Sequence, residues 1–469
     1  MLLQIGLQSI VSRQLGAGPA VDAFEGAVAI PLALSAMVTL PLGAVLIPLV
    51  TRSRQQRGDP AAWESAGTVA GVVMLVTTIV AGVLTATRVS VLSSLYSLSP
   101  GELAIGADVL SIVAWLVPLN ALIALSQALH HWRGWFALPA AAGVLGPGAT
   151  LGMLALARGP VTVQLLAQAM VVGAAVNAIL QMPILMRLRW RWSSETLSAA
   201  GRLVGPVLLS AIYWRIDPLI DRSIGSAFDE GTLASLGYCS RVTNAMAALA
   251  AGGLSVVAFP RMSTAAAEGD RQLALETSKA VGASLLILIP LATSWFVFGD
   301  AIIRDLFEGG LFTPADTARV ALFIRCAIGV VIGGSIGEIL GRAFYAGHDT
   351  LTPALIGTSC VTVGFALKWV FSRTWGPSGV LIASSVAMVA SAGLQFLVLR
   401  RRLGTDLRTS LFTDGVHSMM ATAVACLAGW GMLRTGLPLP AFWGGAVGLI
   451  VYLAALSLLR SRRLRRLPG

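Results

Sequence analysis

The stretch that decides the fold is GRLVGPVLLSAIYWRIDPLIDRSIG, residues 201–225. It is apolar enough to lie in a bilayer, yet beyond Arg202 at its start four charged residues lie inside it: Arg215, Asp217, Asp221 and Arg222. Charges inside a membrane are costly unless they are paired or hydrated, so they usually face a bundle interior or a water-filled cavity. The stretch therefore predicts a membrane helix with a functional polar face. Structural ion pairs, or side chains that extend to the membrane surface, are the alternative.

The next apolar stretch, residues 230–258, carries Tyr238-Cys239-Ser240-Arg241 between two apolar runs. By the same argument, Arg241 is predicted to face the interior of a helix bundle. An anchoring role at the membrane surface is again the alternative.

Composition places the chain among membrane proteins. Of its 469 residues, 56% are hydrophobic and 12% are charged, whereas soluble domains contain about 25% charged residues. The net charge of +11 does not indicate nucleic acid, because the basic residues lie mostly in short links between apolar runs. The four cysteines lack a CxxC pair and the four histidines form no ligand set, so we expect no disulfide, metal, cofactor or enzymatic activity.

A spanning helix needs about 20 apolar residues, and the chain contains about fourteen such segments. They lie near 1–17, 23–50, 67–87, 103–129, 134–157, 161–187, 201–225, 230–258, 275–298, 316–345, 351–372, 378–399, 414–433 and 440–460. The first is short, which predicts either a tilted helix or a start codon further upstream.

The links alternate in charge. One set is rich in arginine, for example at Arg52, Arg54 and Arg57, and the other set contains far fewer arginines. Arginine-rich links usually lie in the cytoplasm. We therefore expect both termini to be cytoplasmic and the basic tail, Arg460 to Arg466, to lie on the anionic inner leaflet.

The chain contains an internal repeat. Ser12-Arg13, Pro48 and Gly58-Asp59 recur as Asp221-Arg222, Pro260 and Gly269-Asp270, at offsets of 222 − 13 = 209, 260 − 48 = 212 and 269 − 58 = 211. Because six segments are an even number, the two copies enter the membrane from the same side, as in two-lobed transporters. The prediction is an all-α polytopic membrane protein with six-helix lobes at 1–190 and 201–402, plus two helices and a basic tail at 410–469.

Five sequence blocks carry a family resemblance: LGAG (15–18) with Asp22-Ala23-Phe24, LGYCSR (236–241), FPRMS (259–263), LFEGGLFT (306–313) and RAFYA (342–346). In order and at this spacing, they resemble the MviN/MurJ family of lipid-linked glycan flippases, within the multidrug/oligosaccharidyl-lipid/polysaccharide exporter group. The resemblance covers nearly the whole chain.

The resemblance implies a flippase of the bacterial inner membrane. A polyprenyl-pyrophosphate-linked saccharide, such as lipid II, would enter a cationic cavity from the inner leaflet and leave on the outer side by alternating access. The last two helices would form a groove for the lipid tail, and close helix packing is the alternative role of their glycines. Coupling to a monovalent cation or to the membrane potential is implied as well.

The resemblance also implies roles for individual residues. Arg241 matches the cavity arginine of the eighth segment, and guanidinium groups suit phosphate. Asp22 matches an acidic residue that would pair with an arginine in one conformation and act as a gate. Arg13, Arg215, Arg222 and Arg325 are further candidates for the translocation path.

Two departures from the family pattern bear on substrate and coupling. Ala29, Ser35 and Ala36 stand where the second segment usually carries basic residues, which leaves a different lipid-linked saccharide open beside lipid II. The family's cation site corresponds to Asp221, Gly364 and Lys368. The hypothesis is that the Lys368 ammonium replaces the cation and pairs with Asp221 or Asp217. The alternative is that Lys368 extends to the membrane surface near Arg373.

Three other classes stay open at this point. A cation-coupled drug or metabolite extruder shares the two lobes but more often has twelve segments and carboxylates in its cavity. An inactive scaffold in a glycan-export complex fits the small number of cavity cations. An enzyme fits worst, because no catalytic constellation is present.

Overall fold

The computed structural model describes residues 2–157, 159–404, 409–433 and 440–464. These residues form seventeen α-helices and one π-helical turn, and no β-strand occurs among them beyond a single bridge between Gly309 and Phe312. The chain divides into two compact units, Met1–Ala234 and Ser235–Gly469.

The first unit contains nine helices and the start of the tenth. They are α1 (Leu2–Leu15), α2 (Pro19–Arg57), α3 (Asp59–Ala86), α4 (Arg88–Leu95), α5 (Pro100–Val113), α6 (Leu116–Trp132), α7 (Ala137–Ala155), α8 (Val163–Leu185), α9 (Ser194–Gly225) and α10 (Thr232–Ala247). Helix α2 lies at the centre of this unit and contacts α3, α5, α6 and α9. Its buried side chains join those of α3 and α6 in one apolar core that includes Leu46, Trp63 and Leu129.

The second unit continues with a π-helical turn at Ala248–Gly252 and seven further α-helices. They are α11 (Gly253–Glu268), α12 (Asp270–Phe307), α13 (Pro314–Ala346), α14 (Leu351–Trp375), α15 (Pro377–Leu403), α16 (Thr409–Leu433) and α17 (Pro440–Leu464). Helix α13 packs extensively on α15 and also on α12. Leu340, Phe344 and Leu399 belong to the core between these helices.

Proline and glycine set most helix boundaries. Proline is in the first turn of α2, α3, α5, α13 and α15, where its missing N–H costs nothing. Ser99 and Thr313 begin α5 and α13 with complete capping boxes. Gly58 (φ +83°) and Gly269 (φ +124°) join consecutive helices in a backbone conformation open to glycine.

The structure confirms the predicted fold class, because every predicted segment coincides with one or more helices. Ten described stretches are long and apolar enough to cross a membrane by length and composition. The chain is therefore a multi-pass membrane protein, and the count of fourteen is compatible with these stretches. The division at 1–190, 201–402 and 410–469 stays a prediction, and the side chains of the basic tail lie outside the described residues.

The last two helices pack tightly on each other and on α12. Gly429 and Gly444 meet face to face, so a Cβ added to Gly429 would lie 2.9 Å from the Gly444 carbonyl oxygen. Tyr452 anchors the pair by donating its hydroxyl to the Leu286 carbonyl at 2.7 Å. These glycines permit close helix contact, and the lipid groove stays a prediction.

Candidate functional site

Asp22 lies in the first turn of α2 and is only 2% exposed. Its carboxylate accepts hydrogen bonds from the backbone N–H groups of Gly231, at 2.5 Å, and Ala234, at 2.6 Å. These groups belong to the beginning of α10, where helical N–H groups have no partner within the helix. Asp22 therefore serves as an N-cap supplied from another helix, and the predicted pairing with an arginine stays a prediction.

Glu25 lies one turn after Asp22 on the same face of α2 and is also 2% exposed. Arg222 of α9 donates to its carboxylate at 3.4 Å and to the Pro218 carbonyl at 3.3 Å. The Arg222 side chain is 15% exposed, so this ion pair is well shielded from solvent. Arg222, one of the predicted cationic residues, therefore forms an ion pair with Glu25, which sequence reasoning did not single out.

The loop between α4 and α5 covers this part of the first unit. Tyr96 is buried against Gly26, where an added Cβ would lie 3.4 Å from its ring. The loop is fixed to α9 through hydrogen bonds of Ser223 to the Leu95 carbonyl and of Ser97 N–H to Ser226. Burial raises the pKa of the Tyr96 phenol to about 12, so this side chain stays neutral. We call Asp22, Glu25, Tyr96 and Arg222 the Asp22 cluster.

The other predicted site residues of the first unit lie outside this cluster, and for one of them the side chain is outside the described residues. Asp217 and Asp221 are half-buried in the last turns of α9. Arg13 is exposed in the last turn of α1. Arg215 lies within α9, but its side chain falls outside the described residues.

In the second unit, Arg241 occupies the middle of α10 and is half-buried. Its guanidinium carbon lies 5.9 Å from the centre of the Tyr238 ring, within the range of a cation–π contact. Tyr238 itself packs against Phe307 and Phe312, with ring centres 5.6 Å and 5.5 Å away. This aromatic support limits the orientations that the Arg241 side chain can adopt.

Arg325 and Lys368 lie on different helices of the second unit. Arg325 of α13 forms an ion pair with Asp300 of α12. Lys368 of α14 is 1% exposed, and its ammonium nitrogen lies 5.8 Å from the centre of the Phe365 ring. Such burial fits a cation held inside the protein and differs from the exposure of a side chain that reaches the membrane surface. Its pairing with Asp217 or Asp221 stays a prediction.

The structure thus brings two predicted residues, Asp22 and Arg222, into one cluster and distributes Arg241, Arg325 and Lys368 over three helices. No group of acidic, histidine or cysteine side chains within the described residues is suited to hold a metal ion. Sequence reasoning missed Glu25, although its spacing of three from Asp22 places both on one helix face.

Sequence reasoning also missed the π-helical turn directly after α10. It is built from Ala248-Leu249-Ala250-Ala251-Gly252, and the Ser284 hydroxyl donates to the Ala250 carbonyl at 3.3 Å. π-Helical turns interrupt the regular hydrogen-bond ladder and occur frequently at functional sites. Here the turn follows the helix that carries Arg241.

Comparison with known proteins connects this arrangement to a family. The family described as "Lipid II flippase MurJ" matches residues 11–438 of the chain. The chain belongs to the MurJ family. This match covers the helices of the Asp22 cluster and those of Arg241, Arg325 and Lys368.

Individual MurJ relatives agree with this assignment. The Lipid II flippase MurJ of Burkholderia cenocepacia is 24% identical over 416 residues, which cover 84% of this chain and 80% of that protein. The Probable lipid II flippase MurJ of Thermotoga maritima is 27% identical over 245 residues. The chain spans between 38% and 58% of the length of four curated relatives that it matches, including the Thermotoga maritima protein.

A solved structure shows the same fold. It is titled "Lipid II flippase MurJ, inward closed conformation", has a TM-score of 0.84 and is 17% identical in sequence. The superposition covers 99% of this chain and 97% of that one. At this level of identity the likeness establishes the MurJ fold, and the roles of individual side chains rest on this chain's own geometry.

Proposed function

We propose that this chain is a flippase that moves lipid II, a polyprenyl-pyrophosphate-linked glycan, from the inner to the outer leaflet of the bacterial cytoplasmic membrane by alternating access. The observation that carries the proposal is the match of the MurJ family to residues 11–438. The protein would act as a transporter rather than an enzyme, with both termini in the cytoplasm.

We assign binding of the substrate's pyrophosphate group to Arg241. It lies inside an apolar helical stretch, Thr232–Glu268, that is long enough to cross the membrane. Ionisable side chains in membrane-spanning helices usually face the bundle interior or a water-filled cavity and often mark the path of a substrate. Arginine presents a planar fork of donors to phosphate oxygens, and the neighbouring Tyr238 ring orients that fork. Asp22, Arg13, Arg215, Arg222 and Arg325 complete the proposed path.

The test is translocation of fluorescent lipid II by the full-length protein in liposomes. Arg241→Ala removes a charged contact worth about 2 kcal/mol, which corresponds to a roughly thirtyfold lower rate at limiting lipid II. Arg401→Ala is the matched control, because Arg401 is an exposed arginine at the end of α15. It removes the same charge and should leave the rate unchanged. Equal rates for wild type and Arg241→Ala would remove Arg241 from the mechanism.

A second candidate substrate is a polyprenyl-pyrophosphate carrying a different saccharide. It is favoured by the polar but uncharged environment of Ser35, which is buried and accepts a hydrogen bond from Asn120 at 3.2 Å where the family pattern has basic residues. Competition in the same assay distinguishes the two substrates. If an exopolysaccharide-type lipid is moved and lipid II is not, the second candidate replaces the first. If neither lipid is moved, the extruder and the scaffold are the remaining classes.

We further propose that the Lys368 ammonium supplies the positive charge that the resemblance assigns to a bound monovalent cation. Its near-complete burial in α14 supports this assignment. Lipid II translocation should then persist at the same rate when sodium is replaced by choline on both sides of the liposome. A strict requirement for sodium would contradict the assignment and leave the flippase proposal intact.

A further inference from the structure

A cavity of about 960 Å³ opens at the arginine-rich end of the first unit, away from the Asp22 cluster. It is lined by the last turns of α2, the first turns of α3 and the beginning of α9. Its charged residues are Arg52, Arg57, Arg191, Glu64 and Glu195. Three cations and two anions leave a net charge of 3 − 2 = +1, so the cavity favours an anion.

The ion pairs of the cavity leave one cation available. Arg57 pairs with Glu195 at 2.9 Å, and Arg191 pairs with Glu64 at 3.5 Å. Arg52 forms no ion pair within the described part of the chain, although it lies near enough to Glu195 to help Arg57 lower the pKa of that carboxyl. A phosphate entering the cavity would first contact the guanidinium of Arg52. It would then also accept hydrogen bonds from the guanidinium groups of Arg57 and Arg191.

The residues before α9 are held in place by α3. The Arg189 N–H donates to the Trp63 carbonyl at 3.3 Å, and the Thr68 hydroxyl donates to the Arg191 carbonyl. The chain passes so close to Gly67 that a Cβ added there would clash with the Arg189 carbonyl oxygen. This docking fixes the 187–193 segment without regular secondary structure and places Arg191 at the cavity.

The cavity has the features of a membrane-surface site. Helix α2 contains 39 residues and, at about 1.5 Å per residue, exceeds the roughly 30 Å of hydrocarbon, so its arginine-bearing end extends beyond that layer. Trp190 and Trp192 are 70% and 69% exposed beside the cavity, and Trp192 also lines it. Exposed tryptophans next to arginines are typical of the bilayer interface, where the rings lie among lipid headgroups.

We infer that this cavity binds the phosphodiester headgroup of an anionic phospholipid of the inner leaflet. In this proposal Arg52 and Arg191 contact the phosphate, and Trp192 lies along the acyl-chain side. The inference concerns a structural lipid and does not depend on which glycan the protein moves.

The test uses the purified full-length protein in neutral detergent, with bound lipid counted by native mass spectrometry. Phosphatidylglycerol is titrated in one arm, phosphatidylcholine in a second and inorganic phosphate in a third. Wild type should bind phosphatidylglycerol in preference to phosphatidylcholine. Because each arginine near an anionic surface contributes about 1 kcal/mol, Arg52→Gln should weaken phosphatidylglycerol binding about fivefold and Arg52→Gln/Arg191→Gln about 25-fold.

The matched control is Arg400→Gln/Arg401→Gln, which removes two arginines from the end of α15. It should leave phosphatidylglycerol binding unchanged. Equal weakening by both double variants would show nonspecific attraction and overturn the inference. If inorganic phosphate displaces the lipid from wild type and binds equally well to Trp192→Ser, the cavity is a site for free phosphate and the lipid assignment is wrong.

Discussion

In each unit a glycine with positive φ joins two consecutive helices, but the ion pairs near these turns differ between the units. Gly58-Asp59 joins α2 to α3, and Gly269-Asp270 joins α11 to α12, each through a glycine with positive φ. In the first unit Asp59 pairs with two arginines. In the part of the second unit that the structure describes, Asp270 forms no ion pair, and the acidic clamp lies at a later turn, at Asp349.

The clamp of the first unit is centred on Arg133, whose side chain is shielded by aromatic rings. Asp59 pairs with Arg54 at 2.6 Å and with Arg133 at 3.0 Å. The Arg133 guanidinium lies over the rings of Trp132, at 4.6 Å, and Trp63, at 5.2 Å. These two rings also contact each other edge to face. The ends of α2 and α6 are thereby tied to the beginning of α3.

The clamp of the second unit is smaller, and its arginine is more exposed. Asp349 accepts hydrogen bonds from the N–H and the hydroxyl of Thr352, at 2.9 Å and 2.6 Å, and pairs with Arg402. The Arg402 side chain is 50% exposed, and its guanidinium lies 5.6 Å from the Phe344 ring. The comparison shows that both units share a helix–helix turn that requires glycine. The ion pairs near these turns, in contrast, lie at different positions in the two units.

The largest expected effect comes from removing the central arginine of the first unit's clamp. Arg133→Ala loses two cation–π contacts of a guanidinium that is only 20% exposed, which contribute about 2.5 kcal/mol, together with an ion pair to the more exposed Asp59. Arg402→Ala removes a more exposed arginine and should cost about 1 kcal/mol. Unfolding of the purified protein by titration with SDS measures both values. Equal losses would show that the two clamps are energetically alike despite the different exposure of their arginines.

The second prediction concerns what the units share. Gly58→Ala and Gly269→Ala force a Cβ into a backbone conformation that is essentially limited to glycine, so each should cost about 2 kcal/mol. Gly82→Ala in α3 and Gly393→Ala in α15 are matched controls, because each lies within a helix with open space around it. These controls should be neutral or slightly stabilising. If only one junction glycine is sensitive, the shared turn is not a common requirement of the repeat.

The helices could be predicted from the sequence because apolar runs of spanning length are bounded by glycine, proline and arginine. Two junction turns also coincide with positions of the internal repeat, because Gly58 and Gly269 both adopt positive φ. Interruptions inside apolar runs were harder to predict. The break between α5 and α6 near Trp115 precedes Pro118, which lacks an N–H and crowds the carbonyl group of Ala114. The π-helical turn at 248–252, in contrast, contains only alanine, leucine and one glycine.

The candidate site was only partly accessible to sequence reasoning. Asp22 and Arg222 could be singled out as charges in apolar segments, and the ion pair of Glu338 and Arg342, at 2.9 Å, follows from their i,i+4 spacing. That pair is local, four residues apart on one helix. The partners of Asp22 are backbone groups 209 and 212 residues away, and Glu25 lies 197 residues from Arg222. Such distant contacts depend on helix packing, which residue spacing does not encode.

The smallest expected effect is a pH dependence of the second unit's clamp. Hydrogen bonds from the Thr352 side chain and backbone, with a further contribution from Arg402, lower the pKa of Asp349 to about 2 from its ordinary value of 3.8. A lowered pKa means that the carboxylate stabilises the fold above about pH 4 and that this contribution is lost as the pH falls towards about 2.

Asp349→Asn retains a capping oxygen but loses the charge, so it should cost less than about 1 kcal/mol at neutral pH. SDS titrations at a series of pH values should therefore show wild type and Asp349→Asn converging in stability in acid, with a smaller initial gap in the Arg402→Ala background. A gap that stays constant down to about pH 2 would show that the Asp349 charge contributes nothing to holding this turn.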